Sequence, residues 1–500
     1  MIRTTLKIAL AQLNPIVGDV DGNEAKARDA RIEAARLGAD LVMFPELFLA
    51  GYPGEDLARD PAFRDSCRAA CRRLARETSD GGPAVLVGLP WADGDHLRNA
   101  CAVLDAGRIA AIRFKVNLAD DGDFAEKRVF VPGPLPGPVN LRGVRFGLPI
   151  GSDIRSEDVV ECLAETGAEI LLVPGGSPYR RGGSDRRFSH AVLRVTESGL
   201  PLVHLNQVGG QDERVFDGAS FVLNAGSSLA GQLPAFREAI VLTEWERRAG
   251  RWTCLAAPRA LVEEGDEADY AACVLGLRDH VTKNRCRGIV LNLADGVGSA
   301  LCAAMAVDAL GPGQVRAVTL PSRHAPERSL ADASSCARAL GIRHDVLPVA
   351  AAMDGFASLL APLIAEEAGS RLQEDIARGS RGIILAALAD ALGAMAVATV
   401  DKSGMAVGQP ADRGGMQGGF APLKDLYRTE VRRLAALRNR WRPAGALGPD
   451  GPVIPRTVLD GPSSGEGLAD RAGGDALPPG EELDGILRAL LEDGSRLAEI

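Results

Sequence analysis

Two strand-and-turn segments constrain this chain more than any other part of it. The first, Gly143-Val-Arg-Phe-Gly-Leu-Pro-Ile-Gly-Ser-Asp-Ile154, reads as a buried strand ending in a sharp turn. A catalytic nucleophile belongs at such a turn, and Gly151 stands there instead. The second begins with Gly288-Ile-Val-Leu-Asn-Leu293, an almost unbroken apolar run of the kind buried on both faces of a sheet. A glycine-bearing loop and a helix follow from Gly296 to Leu310. Strand, glycine loop and helix in that order present backbone N–H groups and a helix N-terminus to phosphate.

Strands and helices alternate around the first segment. Strands fit Lys7–Gln12, Asp40–Glu46, Ala84–Leu89, Ala100–Leu104, Ile109–Phe114, Val144–Ile150, Glu169–Val173 and Leu202–Asn206, and helices fit Asn23–Leu37 and Asp158–Thr166. This order predicts sheets layered on one another and covered by helices. A chain of 500 residues exceeds one core, so two or three domains are expected. Between Ala256 and Asp269 the sequence turns acidic and loses its strand pattern, which sets the boundary at 258/259. A helix is expected over Tyr270–Lys283, and core helices over Ser299–Leu310 and Gly382–Ala396. Pro443 to Pro479 is Gly/Pro-rich and reads as a surface arm, after which Glu481–Leu497 regains helical periodicity.

Composition excludes several classes of partner. A net charge of −9 argues against nucleic acid and against an anionic membrane surface. No apolar run approaches a membrane span and no signal segment opens the chain, so the cytoplasm is the expected compartment. Nine scattered cysteines show no Cys-x-x-Cys pairing and no histidine clustering, so they read as reduced thiols rather than metal ligands.

Five pieces of the first half make a family visible. Gln12-Leu-Asn-Pro-Ile-Val-Gly-Asp19, Phe44-Pro-Glu-Leu-Phe-Leu-Ala-Gly-Tyr-Pro53, Phe124-Ala-Glu-Lys-Arg128, Ser177-Pro-Tyr179 and Asn206-Gln-Val-Gly-Gly-Gln-Asp212 resemble the glutaminase domain of glutamine-dependent NAD synthetases. The resemblance implies an N-terminal nitrilase-like α-β-β-α sandwich with a triad of glutamate base, lysine oxyanion holder and cysteine nucleophile. Glu46 falls on the base and Lys115 on the lysine. Gly151 replaces the cysteine of the family's Ile-Cys-Glu-Asp, and Ser152 follows it with its side chain on the other face of an extended segment. Without the third partner, Glu46 and Lys115 read as a buried ion pair. The substrate frame differs as well, with Ala119-Asp-Asp-Gly-Asp-Phe124 for Pro-Asn-Tyr-Gly-Val-Phe and Gly175-Gly-Ser-Pro-Tyr179 for Asn-Ala-Ser-Pro-Tyr.

The second half resembles the synthetase domain of the same family through Gly311–Val318, Leu320-Pro-Ser-Arg323, Asp401-Lys-Ser403, Gly418–Asp425, Val453-Ile-Pro455 and Leu477-Pro-Pro479. The resemblance implies a doubly wound Rossmann-like ATP-pyrophosphatase fold that binds ATP and magnesium. It also implies a Ser-Gly-Gly-x-Asp-Ser phosphate loop, where this chain reads Ala294-Asp-Gly-Val-Gly-Ser299. Only Gly296 and Ser299 match, and Asp295 sets a carboxylate against the phosphates. Gly298 and Gly404 take the places of the two metal-side carboxylates, and Gly415 that of the substrate aspartate. Arg323, Lys402, Ser403 and Lys424 persist, either as an anion-binding remnant or as structural and solvated charge.

With the nucleophile, phosphate loop and carboxylates replaced together, the sequence predicts a pseudoenzyme that keeps the scaffold for a regulatory or assembly role. No resident metal and no tightly bound cofactor are then expected. The alternatives are an active NAD synthetase with atypical residues, binding ATP and magnesium, and an enzyme of changed chemistry. The family implies a homo-oligomer, and co-assembly with an active synthetase is the further partner expected.

Overall fold

The computed structural model describes residues 3–120, 125–294, 296–323, 326–363, 369–408, 419–461 and 478–496. Two units divide the chain, Met1–Glu263 and Glu264–Ile500.

In the first unit, neighbouring residues of a strand serve different cores. Ile8, Leu10, Leu41, Met43, Leu86 and Val103 face one cluster, and Ala9, Ala11, Val42, Val85, Val87 and Leu104 face another. That alternation follows from the two-residue period of a strand. The first cluster lies between two sheets, because it also contains Val144, Phe146, Ile170, Leu172, Val203 and Leu205. The second packs on the Val20–Arg36 and Pro61–Glu77 helices through Ala27, Ala30, Ala34, Cys67, Cys71 and Leu74. On the far side, Leu171, Val173 and Leu202 meet Val159, Leu163, Ala191 and Val195 of the Asp158–Glu165 and Gly183–Ser198 helices. The layers are therefore helix, sheet, sheet, helix, as the family resemblance implies.

One sheet has seven strands in the order Arg251–Ala256, Ala239–Arg248, Thr5–Gln12, Leu41–Met43, Ala84–Asp93, His96–Asp105, Arg108–Phe114. The other has six, Leu229–Gln232, Phe221–Leu223, Leu202–Asn206, Ile170–Gly175, Val144–Gly147, Val139–Leu141. The Ala239–Arg248 and Arg251–Ala256 hairpin, unassigned from sequence, closes the first sheet antiparallel to Thr5–Gln12.

The second unit holds a four-stranded parallel sheet in the order Arg343–Val346, Val315–Thr319, Ile289–Asn292, Met395–Val397. Ile289 and Leu291 face a core shared with the Gly265–Lys283 and Val297–Leu310 helices, and Val290 faces Val318, Leu320 and Leu385 on the opposite side. Helices on both faces make it doubly wound. No helix among the described residues is long and apolar enough to cross a membrane.

Three expectations need correction. The helix expected over Gly382–Ala396 stops at Leu392, Gly393 turns the chain at φ +61°, and Met395–Val397 becomes an edge strand. The expected surface arm is partly core, since Val453, Ile454 and Val458 are buried among the helices. Val144–Ile150 pairs as a strand only to Gly147, and Gly151–Arg155 is a 3-10 turn.

Candidate functional site

Glu46 follows the Leu41–Met43 strand through Phe44 and Pro45, at a bend where Leu47 has φ +48°. The bend needs Gly88 beneath it, because a Cβ there would stand 2.2 Å from the Leu47 amide nitrogen. Lys115 ends the edge strand Arg108–Phe114, its amide donating to the Asn99 carbonyl at 2.8 Å. Both side chains are 2% exposed, and the Lys115 Nζ donates to Glu46 Oε1 at 2.7 Å.

The structure adds members that the sequence did not assign. Glu126, fully buried, takes the same ammonium at 2.7 Å through Oε2, which also accepts from the Ala119 amide at 2.7 Å. Asn99 Nδ2 bridges the two carboxylates, donating to Glu46 Oε1 at 2.8 Å and Glu126 Oε1 at 3.1 Å. Tyr52 donates its hydroxyl to Glu126 Oε1 at 3.3 Å. Two carboxylates around one ammonium leave a net negative charge in a dry site. Burial pushes the Glu46 carboxyl up to about 7, against the pull of Lys115 and with the push of Glu126. Burial alone would lower the Lys115 ammonium, but the two carboxylates override it and hold it above its ordinary value.

The turn at Gly151, where the family resemblance places a nucleophile, is held from below. Asp153, fully buried, accepts from the Ile150, Val116 and Asn117 amides at 2.9, 3.0 and 2.7 Å, and so pins the turn to the chain after Lys115. Its carboxyl is pushed up to about 6 by burial in spite of those donors. Gly151 sits at φ +51°, a conformation in which an L side chain is strained. A Cβ there would lie 2.3 Å from Glu46 Oε2. Glu46 is held in that position by Lys115 and Asn99, so its carboxylate fills the space that a nucleophile's side chain would need. Ser152 cannot substitute, since its hydroxyl donates to the Asn117 carbonyl at 2.5 Å. The 3-10 turn, rather than an extended strand, aims it there. Cys101 lies near Glu46, but burial pushes its thiol well up, which leaves it protonated and inert.

Around the turn opens a cavity of about 250 Å³, reached by Gly151, Ser152 and Ser177. Gly176 in Gly175-Gly-Ser-Pro-Tyr179 has a local cause, because a Cβ there would stand 2.6 Å from the Tyr52 ring. Asp120 pairs with Lys127 at 3.3 Å, and Asp121 and Asp123 lie outside the described residues.

In the second unit the Ser299 hydroxyl is bonded back onto the loop after Ile289–Asn292. The single Ser299 hydroxyl proton lies between the Ala294 and Gly296 carbonyls at 3.0 and 2.9 Å, and its oxygen accepts from the Ala294 amide at 3.2 Å. Gly296 caps the following helix without a side chain, and Asp295 lies outside the described residues. A Cβ at Gly298 would come within 3.1 Å of the Thr399 carbonyl, so a carboxylate there would crowd that backbone.

Lys402 and Ser403 have partners from the C-terminal helix Gly480–Leu491 and the residues after it. Lys402 Nζ donates to Glu492 at 2.5 Å and lies 4.6 Å from the Tyr427 ring centroid. Ser403, fully buried, donates to Asp484 at 2.5 Å and accepts from the Arg428 amide at 2.9 Å. Gly404 donates its amide to Asp401, closing the cap of the Lys402–Ala406 helix. Arg323 pairs with Asp354 on the surface, Lys424 is half-buried, and Gly415 lies outside the described residues. The structure thus brings Lys402, Ser403 and Gly404 together on one short helix and gives Arg323 a local partner of its own.

Two family models match the chain in tandem: the one described as carbon-nitrogen hydrolase over residues 7–252, and the one described as NAD synthase over 269–500. A glutamine-dependent NAD(+) synthetase of Rhodobacter capsulatus is 43% identical, across 99% of this chain and 89% of that protein. One from Xanthomonas campestris is 39% identical, across 97% and 86%. Among solved structures, the glutamine-dependent NAD+ synthetase of Acinetobacter baumannii in complex with ADP superimposes with a TM-score of 0.85 at 32% identity, covering 99% of this chain and 89% of that one.

Proposed function

The chain belongs to the glutamine-dependent NAD(+) synthetase family, and from that premise we propose that it is a member without catalysis of its own, kept as a regulatory or assembly component. The observation that carries this reading is the Glu46 carboxylate standing 2.3 Å from where a nucleophile's Cβ at position 151 would be. A triad with no attacking atom cannot form the acyl-enzyme on which glutamine hydrolysis depends.

The synthetase half supports the same conclusion. Magnesium in such sites is held by one or two carboxylates together with substrate phosphates. The residues present do not fit that ion: both metal-side positions are glycine, and Asp401 is committed to capping the helix that carries one of them. Calorimetric titration with magnesium and ATP is therefore expected to give no saturable heat below millimolar concentration. Micromolar affinity, or AMP formed in the presence of nicotinate adenine dinucleotide and ammonia, overturns this half of the reading.

A second reading is favoured by one observation, the full-length identity to proteins named for the synthetase reaction. In it the chain makes NAD from nicotinate adenine dinucleotide, ATP and glutamine or ammonia with atypical residues. The same AMP assay separates the two.

For the regulatory role, a closed symmetric assembly is the expected setting, and a subunit that keeps the family's contact surfaces can enter it without chemistry of its own. Co-expression with an intact glutamine-dependent NAD synthetase, followed by native mass spectrometry, is expected to yield mixed oligomers in the cytoplasm of the host. Strict self-sorting with unchanged synthetase activity ends the regulatory role.

A further inference from the structure

The cavity beside Gly151 has a wall that an amide substrate does not require. The turn Gly151–Arg155 supplies Arg155, and the Gly183–Ser198 helix with the loop before it supplies Arg180, Arg186 and Arg187. Among the described residues that line it there is no carboxylate. Arg187 is paired with buried Asp217 at 2.5 Å, and Arg155 and Arg180 also have interactions within the fold. Arg186 is exposed at the rim, and Asp185 is exposed in the first turn of the same helix. That helix starts at Gly183, on the cavity wall, with no side-chain cap, so the positive end of its dipole adds to the guanidinium charge.

A second feature borders the same space. His204 lines the cavity, is 2% exposed, stacks on Phe221 with ring centroids 5.1 Å apart, and has an Nδ1 with no hydrogen-bond partner. Buried polar nitrogens are ordinarily partnered, and this one is left without a partner on a residue of the cavity wall. Burial, and then Arg187, hold this imidazole down at about 3, so it is neutral and meets a ligand as a single donor or acceptor. His190, also on the wall, is held below its ordinary value by burial and then by the nearby Arg155, Arg194 and Arg186.

We propose that this cavity binds a small anion with two or more negative charges, a phosphate-bearing compound or a dicarboxylate. Glutamine brings one carboxylate and one ammonium, whose interactions with such a wall oppose each other, whereas a dianion finds guanidinium groups and a helix N-terminus with no opposing charge of its own. The inference rests on the reading that Gly151 ends glutamine chemistry in this pocket.

The test is calorimetry on the full chain with inorganic phosphate, succinate and glutamine, each at the same ionic strength set with sodium chloride. One of the two dianions is expected to bind saturably at one site per chain, and which of them does so identifies the ligand class. Arg186→Gln is expected to weaken that binding about ten-fold, the loss of one charge-assisted hydrogen bond. His204→Phe keeps the stacked ring, removes the nitrogen and is expected to weaken it several-fold. Absence of saturable binding by both anions, or binding that both variants leave unchanged, overturns the proposal. Glutamine turnover in the same cell overturns instead the reading of Gly151.

Discussion

Glutamate release from glutamine is expected to stay at the level of a protein-free blank, on the order of a million-fold below a working triad, because loss of the nucleophile alone has that effect in well-studied hydrolases. Restoring the missing atom is not expected to restore the reaction. In Gly151→Cys the new Cβ would lie 2.3 Å from Glu46 Oε2, the oxygen opposite the one that takes Lys115 and Asn99, so the carboxylate must shift to admit it, and φ +51° strains any side chain at 151. The variant is therefore expected to be less stable than the parent and still silent in an enzyme-coupled glutamate assay. Release above the blank that Glu46→Ala abolishes would show a nucleophile the geometry does not reveal.

Lys115→Met is expected to destabilise the N-terminal unit by about 3–5 kcal/mol, the usual result of removing one member of a buried ion pair. Two carboxylates would share a dry site with no cation, and one would take up a proton. The loss should shrink as pH falls, since the Glu46 carboxyl already stands at about 7 and is neutralised first. Urea unfolding followed by tryptophan fluorescence reads this, because Trp245 and Trp252 are buried in that unit. Combining Lys115→Met with Glu46→Gln and Glu126→Gln should recover most of the loss. A change below about 1 kcal/mol in the single variant would mean that the pair sits in water and is no structural element.

These two results would account for the survival of a base and a lysine beside a missing nucleophile. Lys115 ties Glu46 to Glu126, and Asn99 and Tyr52 complete the same network. Removing any one member leaves a buried polar group unsatisfied, which is costly whether or not the site turns over a substrate.

Local pattern was enough for much of the fold. Ile8 and Leu10 against Ala9 and Ala11 follow the two-residue period, and every strand expected in the first unit has a paired counterpart in the structure. The glycine at position 151 was equally legible, since it is a statement about one residue at one turn. Short apolar runs were less informative. Nothing in the composition of Ile383 to Val397 distinguishes helix from strand, and the structure ends the helix at Leu392 because Gly393 adopts a left-handed turn and Met395–Val397 finds an edge beside Ile289–Leu291.

What only the tertiary structure decided is partnership over long separations. Asn99 reaches Glu46 across 53 residues and Glu126 across 27, and the arginines of the cavity wall come from segments on both sides of a strand. Ser403 and Lys402 read from sequence as either an anion-binding remnant or structural charge, and only the structure brings Asp484 and Glu492, 81 and 90 residues downstream, onto them. The sequence determined which chemical groups the chain still possesses and which it has lost. Their burial, and the partners that neutralise them, depend on which distant segments the packed layers bring within about 3 Å, and no local period encodes that distance.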